Sequence, residues 1–314
     1  MSSIFFCFSN TDNQMNSTTL RASGLLLLAS FIWGTAFAAQ KSAMEHIGPF
    51  WFTALRFIVA SILLLPFALR EKQYKPTTPG DWSIGLLVGL LMTFGMNLQQ
   101  YGIQFTSVTN SGFITGSSVV LVPIIGLFFG IRPSRAVWLG VCLVFVGMYF
   151  LSVPSGISFS AETASLNKGD VLTFLCAIFW AFQVLTLSSP LGRRLTPFRL
   201  CEVQFMVTAF LSTIVALCLE SLSFTGIKEA FVPFLYASVF SATIAFVLQI
   251  LAQRHIPAAT SVIIISLESV FAAFAGWVIF EEILDMRGWI GCILMLSGLL
   301  ISQLRSLKEK TLPS

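Results

Sequence analysis

The stretch from Pro257 to Glu282, PAATSVIIISLESVFAAFAGWVIFEE, is long and apolar enough to cross a bilayer, yet it carries Glu268 near its midpoint. Eleven residues between Ala258 and Phe280 are Val, Ile, Leu or Phe, and at roughly 0.3 to 0.6 kcal/mol each they favour insertion. A central carboxylate costs about 3 kcal/mol, so the segment should still insert. Small residues follow Glu268 along one helical face, which predicts that this face lies inside a helix bundle or an aqueous cavity.

The composition indicates an integral membrane protein. Of 314 residues, 56% are hydrophobic and 10% are charged, whereas soluble domains carry about 25% charged residues. The expected surroundings are therefore a lipid bilayer, and no basic patch suggests a nucleic-acid partner. The six cysteines show no metal-type spacing, and the five that lie in apolar segments are expected to be buried thiols.

Ten apolar runs are each long enough to span a bilayer. We place them at 21–40, 50–70, 82–103, 108–130, 136–153, 170–189, 198–219, 229–251, 258–280 and 286–304. The resulting division is a disordered cytoplasmic N-terminal segment at 1–20, a first five-helix repeat at 21–153, a connecting loop at 154–169, a second repeat at 170–304 and a cytoplasmic tail at 305–314. Translation from Met15 instead of Met1 is an open alternative.

The distribution of Lys and Arg predicts the orientation. With the N-terminus inside, thirteen of these residues lie on the cytoplasmic side and four on the other side, while Arg56 remains within the membrane. Because positive residues favour the cytoplasmic side, both termini are predicted to be cytoplasmic.

The two halves of the chain repeat. Trp33 corresponds to Trp180 at an offset of 147 residues, and three further signatures recur at offsets of 148 to 151. Each half has five spans, an odd number, so the second copy must be inverted relative to the first. Inverted repeats are typical of transporters that bind their substrate near the middle of the membrane. The fold class expected is thus all-α, with ten transmembrane helices in two inverted five-helix repeats.

The stretches SFIWGTAFAAQ, GPFWFTALRF, QFTSVTNSGFITGSSVVLVPI and SLESVFAAFAGWVIFEE resemble the EamA-type members of the drug/metabolite transporter superfamily. The resemblance covers about Gly24 to Ser302 in two copies. It implies ten helices in two inverted repeats and the movement of small polar metabolites, often the export of amino acids or related compounds. The chain departs from the family at Ser269, where Pro often follows the central Glu.

No nucleophile constellation, phosphate-binding loop or metal cluster is evident, so catalysis and cofactors are not expected. Polar and aromatic residues within the spans are instead candidates for a substrate pathway. Beside Arg56 and Glu268, they are Trp33, Gln40, Asn97, Gln100, Ser111, Thr115, Trp180, Gln183 and Gln249. The alternative for the amides and hydroxyls is that they join neighbouring helices by hydrogen bonds.

Arg56 and Glu268 differ in chemistry. Arg56 keeps its charge and therefore requires a partner, water or an anionic substrate group; structural pairing is the alternative. Glu268 can lose its charge by taking up a proton, so it is the candidate for proton coupling, with a carboxyl that only fixes helix packing as the alternative.

These residues predict a secondary transporter of the inner membrane that works by alternating access on a small polar metabolite. An amino acid or related compound is favoured, and the resemblance favours export. A passive channel or facilitator, or an importer of a nucleotide- or sugar-like metabolite, remains open. The sequence does not decide substrate, coupling ion or oligomeric state.

Overall fold

The structure is a computed structural model that describes residues 2–74, 78–105, 108–152, 168–280 and 286–308. Those residues form helices joined by short turns, with no strand among them. Most of the predicted connecting loop and the end of the predicted tail lie outside this described part.

Fourteen α-helices follow one another along the described chain, with a 3₁₀ turn at Leu191–Arg193 and a π-helical segment at Ala237–Ile244. Their bounds are α1 Ser2–Met44, α2 Pro49–Tyr74, α3 Pro79–Ile103, α4 Val108–Gly116, α5 Ser118–Phe128, α6 Arg135–Ser152, α7 Lys168–Ser188, α8 Pro197–Leu219, α9 Phe224–Glu229, α10 Phe231–Tyr236, α11 Ala245–Gln253, α12 Ala258–Ile265, α13 Glu268–Phe280 and α14 Met286–Lys308. Proline begins α2, α3 and α8, where its missing N–H costs no hydrogen bond.

The lengths and compositions of the helices confirm a multi-pass membrane protein. Within the described residues, seven helices are long and apolar enough to cross a membrane, and three shorter apolar helices span Ile114–Phe128, Arg135–Phe150 and Met286–Ser302. Large apolar side chains such as Phe128, Phe210 and Leu217 stand exposed on the outside of the bundle. Such a surface suits lipid contact.

Two of the predicted spans are interrupted in the structure. The fourth breaks at Ser117, between α4 and α5, and the ninth breaks at Ser266 and Leu267, between α12 and α13. The Ser117 hydroxyl donates to the carbonyl of Ile114, and the Ser266 hydroxyl donates to that of Val262. Serine bonds of this kind compete with the helical ladder and bend helices.

The first helix extends through the N-terminal segment. The structure continues α1 back to Ser2, through the residues assigned to a disordered segment at 1–20. Residues 2–19 contain neither proline nor glycine, so no residue there interrupts a helix that continues into the first span.

Helices α2 and α8 lie side by side, and each carries a glutamate that caps the start of the other. The four bonds run from the N–H groups of Phe50 and Trp51 to Glu220 Oε1 and Oε2, at 3.1 and 2.9 Å, and from those of Phe198 and Arg199 to Glu71 Oε2, at 3.0 and 3.1 Å. Because the end of each helix meets the beginning of the other, the two run antiparallel. The caps occupy N–H groups that a helix leaves unpaired in its first turn.

Helices α6 and α14 form a second antiparallel pair, joined through glycines. A Cβ atom on Gly140 would lie 2.8 Å from the carbonyl oxygen of Gly298, and one on Gly298 would lie 2.7 Å from that of Gly140. Gly147 approaches the carbonyl of Gly291 in the same way. Glycine is therefore required for the backbones to pack this closely.

The glycine contact predicts opposite effects of Gly298→Ala and Gly24→Ala. No atom lies within 4 Å of a Cβ atom on Gly24, so alanine should fit there and favour the helix. At Gly298 the added methyl should force α6 and α14 apart, and we expect a loss of about 1–3 kcal/mol of folding free energy. Thermal unfolding in detergent measures both; equal midpoints for the two variants would contradict the close packing.

Candidate functional site

The helices enclose a cavity of about 80 Å³. Its walls come from both halves of the chain, through α1 to α5, α7, the π-helical segment and α11 to α13. The lining residues are Trp33, Phe37, Gln40, Arg56, Met96, Gln99, Thr115, Ser118, Trp180, Val184, Ser241, Phe246, Gln249, Val262, Ile265 and Glu268. None of these residues comes from α6, α8 or α14.

Arg56 is fully buried on α2 and binds neutral groups. Its guanidinium donates to Gln40 Oε1 at 3.1 Å and to Ser241 Oγ at 3.3 Å. The aromatic faces of Phe52 and Phe57 lie 5.6 and 5.1 Å from its Cζ. Arg56 makes no ion pair with any carboxylate of the described residues, and its Nε has no partner there. The positive charge is therefore held in place but not neutralised.

The π-helical segment supplies two of the atoms that hold this wall of the cavity. The Ser241 hydroxyl binds Arg56, and its backbone carbonyl accepts a hydrogen bond from Trp33 Nε1 at 3.1 Å. Inside the segment, the Thr243 hydroxyl bonds to the carbonyl of Ser238 at 2.9 Å. A π-helix turns more slowly than an α-helix, which frees carbonyl groups for such contacts and explains why π-segments recur at functional sites.

Glu268 begins α13, directly after the break in the ninth span, and its side chain faces the cavity. The structure describes neither a hydrogen bond nor an ion pair for its carboxyl group. Helix α1 lies close by: a Cβ atom on Gly34 would come 2.5 Å from the backbone oxygen of Glu268. A carboxylate in the first turn of a helix is favoured by the helix dipole.

Aromatic rings form one wall of the cavity. Phe246 on α11 contacts Trp33 edge-on, with ring centroids 5.1 Å apart, and stacks on Trp180 at 6.1 Å. Trp33 and Trp180 are equivalent positions of the two repeats. Such faces can enclose the apolar part of a solute or stack on a cation.

The remaining polar groups of the wall are uncharged. Gln99 donates to Thr115 Oγ1 at 3.2 Å, and Ser118 lies one turn further along the chain. Gln249 faces the cavity from α11, and its Oε1 has no partner among the described residues. Amide and hydroxyl groups of this kind can bind a polar solute or the water around it.

Of the eleven residues proposed from the sequence, seven line the cavity: Trp33, Gln40, Arg56, Thr115, Trp180, Gln249 and Glu268. The other four lie elsewhere. Asn97 donates to Ser212 Oγ at 2.7 Å, so it joins α3 to α8. Gln100 donates to Gln40, and Gln183 bonds to Gln204. Ser111 is fully buried, and its hydroxyl has no partner among the described residues.

Three polar lining residues were not proposed from the sequence: Gln99, Ser118 and Ser241. Gln99 is adjacent to Gln100, and an α-helix that is apolar on most sides does not reveal which of the two faces inward. Ser118 follows from the repeat, since it lies 150 residues before Glu268. The inward direction of Ser241 depends on the π-helical segment, because a π-turn rotates the residues that follow it around the helix axis.

The described residues hold no group of three or more His, Cys, Asp or Glu side chains that could bind a metal ion. The cavity presents one guanidinium, one carboxyl and several neutral donors and acceptors. This set can bind a small polar molecule.

Comparisons with known proteins agree with this geometry. The sequence profile of the EamA-like transporter family matches residues 20–153 and again residues 167–304. A protein of Archaeoglobus fulgidus named "Uncharacterized transporter" is 32% identical over 282 residues, which are 89% of this chain and 85% of that protein. "Uncharacterized transporter YwfM" of Bacillus subtilis is 25% identical over 295 residues, or 91% of this chain and 95% of that protein.

A protein of known crystal structure has the same fold, with a TM-score of 0.76 at 17% sequence identity. The superposition covers 93% of this chain and 99% of that one. The profile covers most of the chain in two copies, and the helices are those of a multi-pass membrane protein. The chain therefore belongs to the EamA-like transporter family of the drug/metabolite transporter superfamily and is a membrane transporter.

Proposed function

We propose that the chain is a secondary transporter that moves a small zwitterion, an amino acid or a related compound, by alternating access. The observation that carries this proposal is that Arg56 and Glu268 face one cavity without forming an ion pair. A substrate carboxylate would bind the Arg56 guanidinium, and a substrate ammonium group would bind the Glu268 carboxylate. Each charge then gains the partner that the protein does not provide.

The size of the cavity supports a small solute. Roughly 10–15 Å³ of this volume suffices for one water molecule, so about 80 Å³ admits several waters or a molecule of few heavy atoms. This favours an amino acid over the nucleotide-like alternative. Export rather than import is supported by the sequence resemblance.

We further propose that ten membrane-spanning helices form two inverted five-helix repeats, 21–153 and 170–304. The capping glutamates support this, because Glu71 and Glu220 lie 149 residues apart and the helix starts that they cap lie 148 residues apart. Each half thus supplies one capping glutamate and one capped helix start, at equivalent positions. In an inverted repeat this symmetry makes inward-open and outward-open forms close relatives.

The proposed location is the inner membrane, with both termini in the cytoplasm. The excess of Lys and Arg on one side supports it.

Leu191 lies exposed between α7 and α8, on the side that carries most of the positive residues. A cysteine there, in a variant without the native cysteines, should react only with an impermeant thiol reagent added on the cytoplasmic side. Reaction only from the outside would invert the orientation.

A carrier should show counterflow. Vesicles that contain the purified protein and are loaded with an unlabelled amino acid should take up the labelled amino acid faster than the same vesicles without that load.

Arg56→Gln should lower this exchange roughly 10- to 100-fold, since a charge-assisted hydrogen bond is worth about 1.5–3 kcal/mol. Arg135→Gln, at the exposed start of α6, is the matched control. Flux that neither saturates nor accelerates would instead identify the channel alternative.

Glu268→Gln tests proton coupling. The amide keeps the size of the carboxyl group but cannot release a proton, so at every pH the variant should behave as the wild type does with Glu268 protonated. We expect it to exchange substrate more slowly, because the amide no longer offers a charge to the substrate ammonium group, and not to respond to a pH gradient imposed across the vesicles. Glu202→Gln is the control, because Glu202 is a second membrane carboxylate that does not line the cavity. A Glu268→Gln variant that follows the gradient as the wild type does would refute coupling through this residue.

A further inference from the structure

A second group of polar side chains lies between the cavity and the basic face, by which we mean the side with Arg193, Arg194 and Arg254. Gln253 is fully buried at the end of α11, and neither atom of its amide has a partner among the described residues. The hydroxyl of Ser261 on α12 is likewise fully buried and unpartnered. Nearly all buried polar groups in proteins are hydrogen-bonded, so these atoms require a partner.

The positions of these residues along their helices make the group continuous with the cavity. Gln253 follows the cavity residue Gln249 by one helical turn. Ser188 on α7, whose buried hydroxyl also has no partner among the described residues, follows the cavity residue Val184 in the same way. Ser261 precedes Ile265, also a cavity residue, by one turn. Since α7 and α11 end at the basic face and α12 begins there, all three steps lead in the same direction.

Gln183 and Gln204 join the group from α7 and α8. Their amides form one hydrogen bond of 3.4 Å, which leaves Gln183 Oε1 and Gln204 Nε2 without partners. Turning both amides over exchanges the bonded and unbonded atoms but leaves one donor and one acceptor unpaired. Both side chains are fully buried.

The group reaches the surface at the turn between α7 and α8. The Arg254 guanidinium donates to the carbonyl groups of Leu195 and Gly192, while its Nε and the hydroxyl of Thr196 have no partner among the described residues. Burial lowers the pKa of Arg254, and the nearby charge of Glu71 acts in the opposite direction. Unpartnered polar atoms therefore extend from the cavity to this turn.

We infer that these side chains line a hydrated passage, filled by a chain of ordered water molecules, from the cavity to the basic face. Left dry, each unpaired group would cost about 1–3 kcal/mol. One buried water typically makes about three hydrogen bonds to such groups and removes that cost. Donors and acceptors are both present, which suits water better than an ion of either sign.

The equivalent depth in the first repeat is built differently. Arg56 occupies the position of Gln204, at an offset of 148 residues, and it is bonded to Gln40 and Ser241. In the first repeat a charged guanidinium thus stands where the second repeat has a neutral amide.

The use of the passage rests on the proposed transport function, because water there would connect Glu268 and the substrate with the basic face. The existence of the passage does not depend on that function. Accessibility can be measured without substrate or gradient, so a failed transport assay and a failed passage are distinguishable.

Cysteine accessibility tests the passage. In full-length protein whose native cysteines are replaced, Ser261→Cys should react with a small, water-soluble methanethiosulfonate reagent at least tenfold faster than Ile263→Cys. Both positions are fully buried on α12, but Ile263 packs in an apolar cluster. The reaction should occur from the same side as that of Leu191→Cys, which marks the basic face. Gln253→Cys provides a second probe from α11.

Equal, slow rates at residues 261, 253 and 263 would overturn the inference, as would reaction only from the side opposite to Leu191→Cys. Should Ser261→Cys fail to fold, Gln253→Cys decides alone. Loss of pH response in Glu268→Gln has no bearing on these rates.

Discussion

A permanently charged guanidinium buried among neutral groups is the constraint on which the centre of this protein depends. Arg56 cannot release its proton, and in the membrane interior the charge must be solvated by the protein itself. Gln40 on α1, Ser241 in the π-helical segment and two phenylalanine rings on α2 provide that solvation. One side chain therefore contacts helices from both repeats, and the irregular backbone of Ala237–Ile244 places Ser241 where it can bind that side chain.

Hydropathy was sufficient to recognise a multi-pass membrane protein, because a membrane segment must be apolar over a length set by the bilayer. The repeat offsets identified equivalent positions, and the glutamate caps and glycine contacts fall on such positions. Mid-membrane charge also identified Arg56 and Glu268 without any structural information, since ionisable residues at that depth are expensive and face the interior of the bundle.

Local backbone geometry could not be read from the sequence. At the breaks, the hydroxyls of Ser117 and Ser266 bond to nearby carbonyls, but serine is also common in unbroken membrane helices. On α3, Asn97 and Gln100 were proposed from the sequence, but it is Gln99 that lines the cavity. A helix that contacts other helices or lipid on every side has no polar face to fix its rotation.

The reciprocal caps of α2 and α8 have a consequence for biogenesis. While the chain is being synthesised, the first turn of α2 emerges long before Glu220 exists, so the N–H groups of Phe50 and Trp51 wait for a residue about 170 positions further on. A ribosome stalled between the halves would release a fragment with an unfinished helix start. Quality control in the membrane could recognise that fragment by its open backbone, and the two halves expressed as separate chains would each supply the carboxylate that the other lacks.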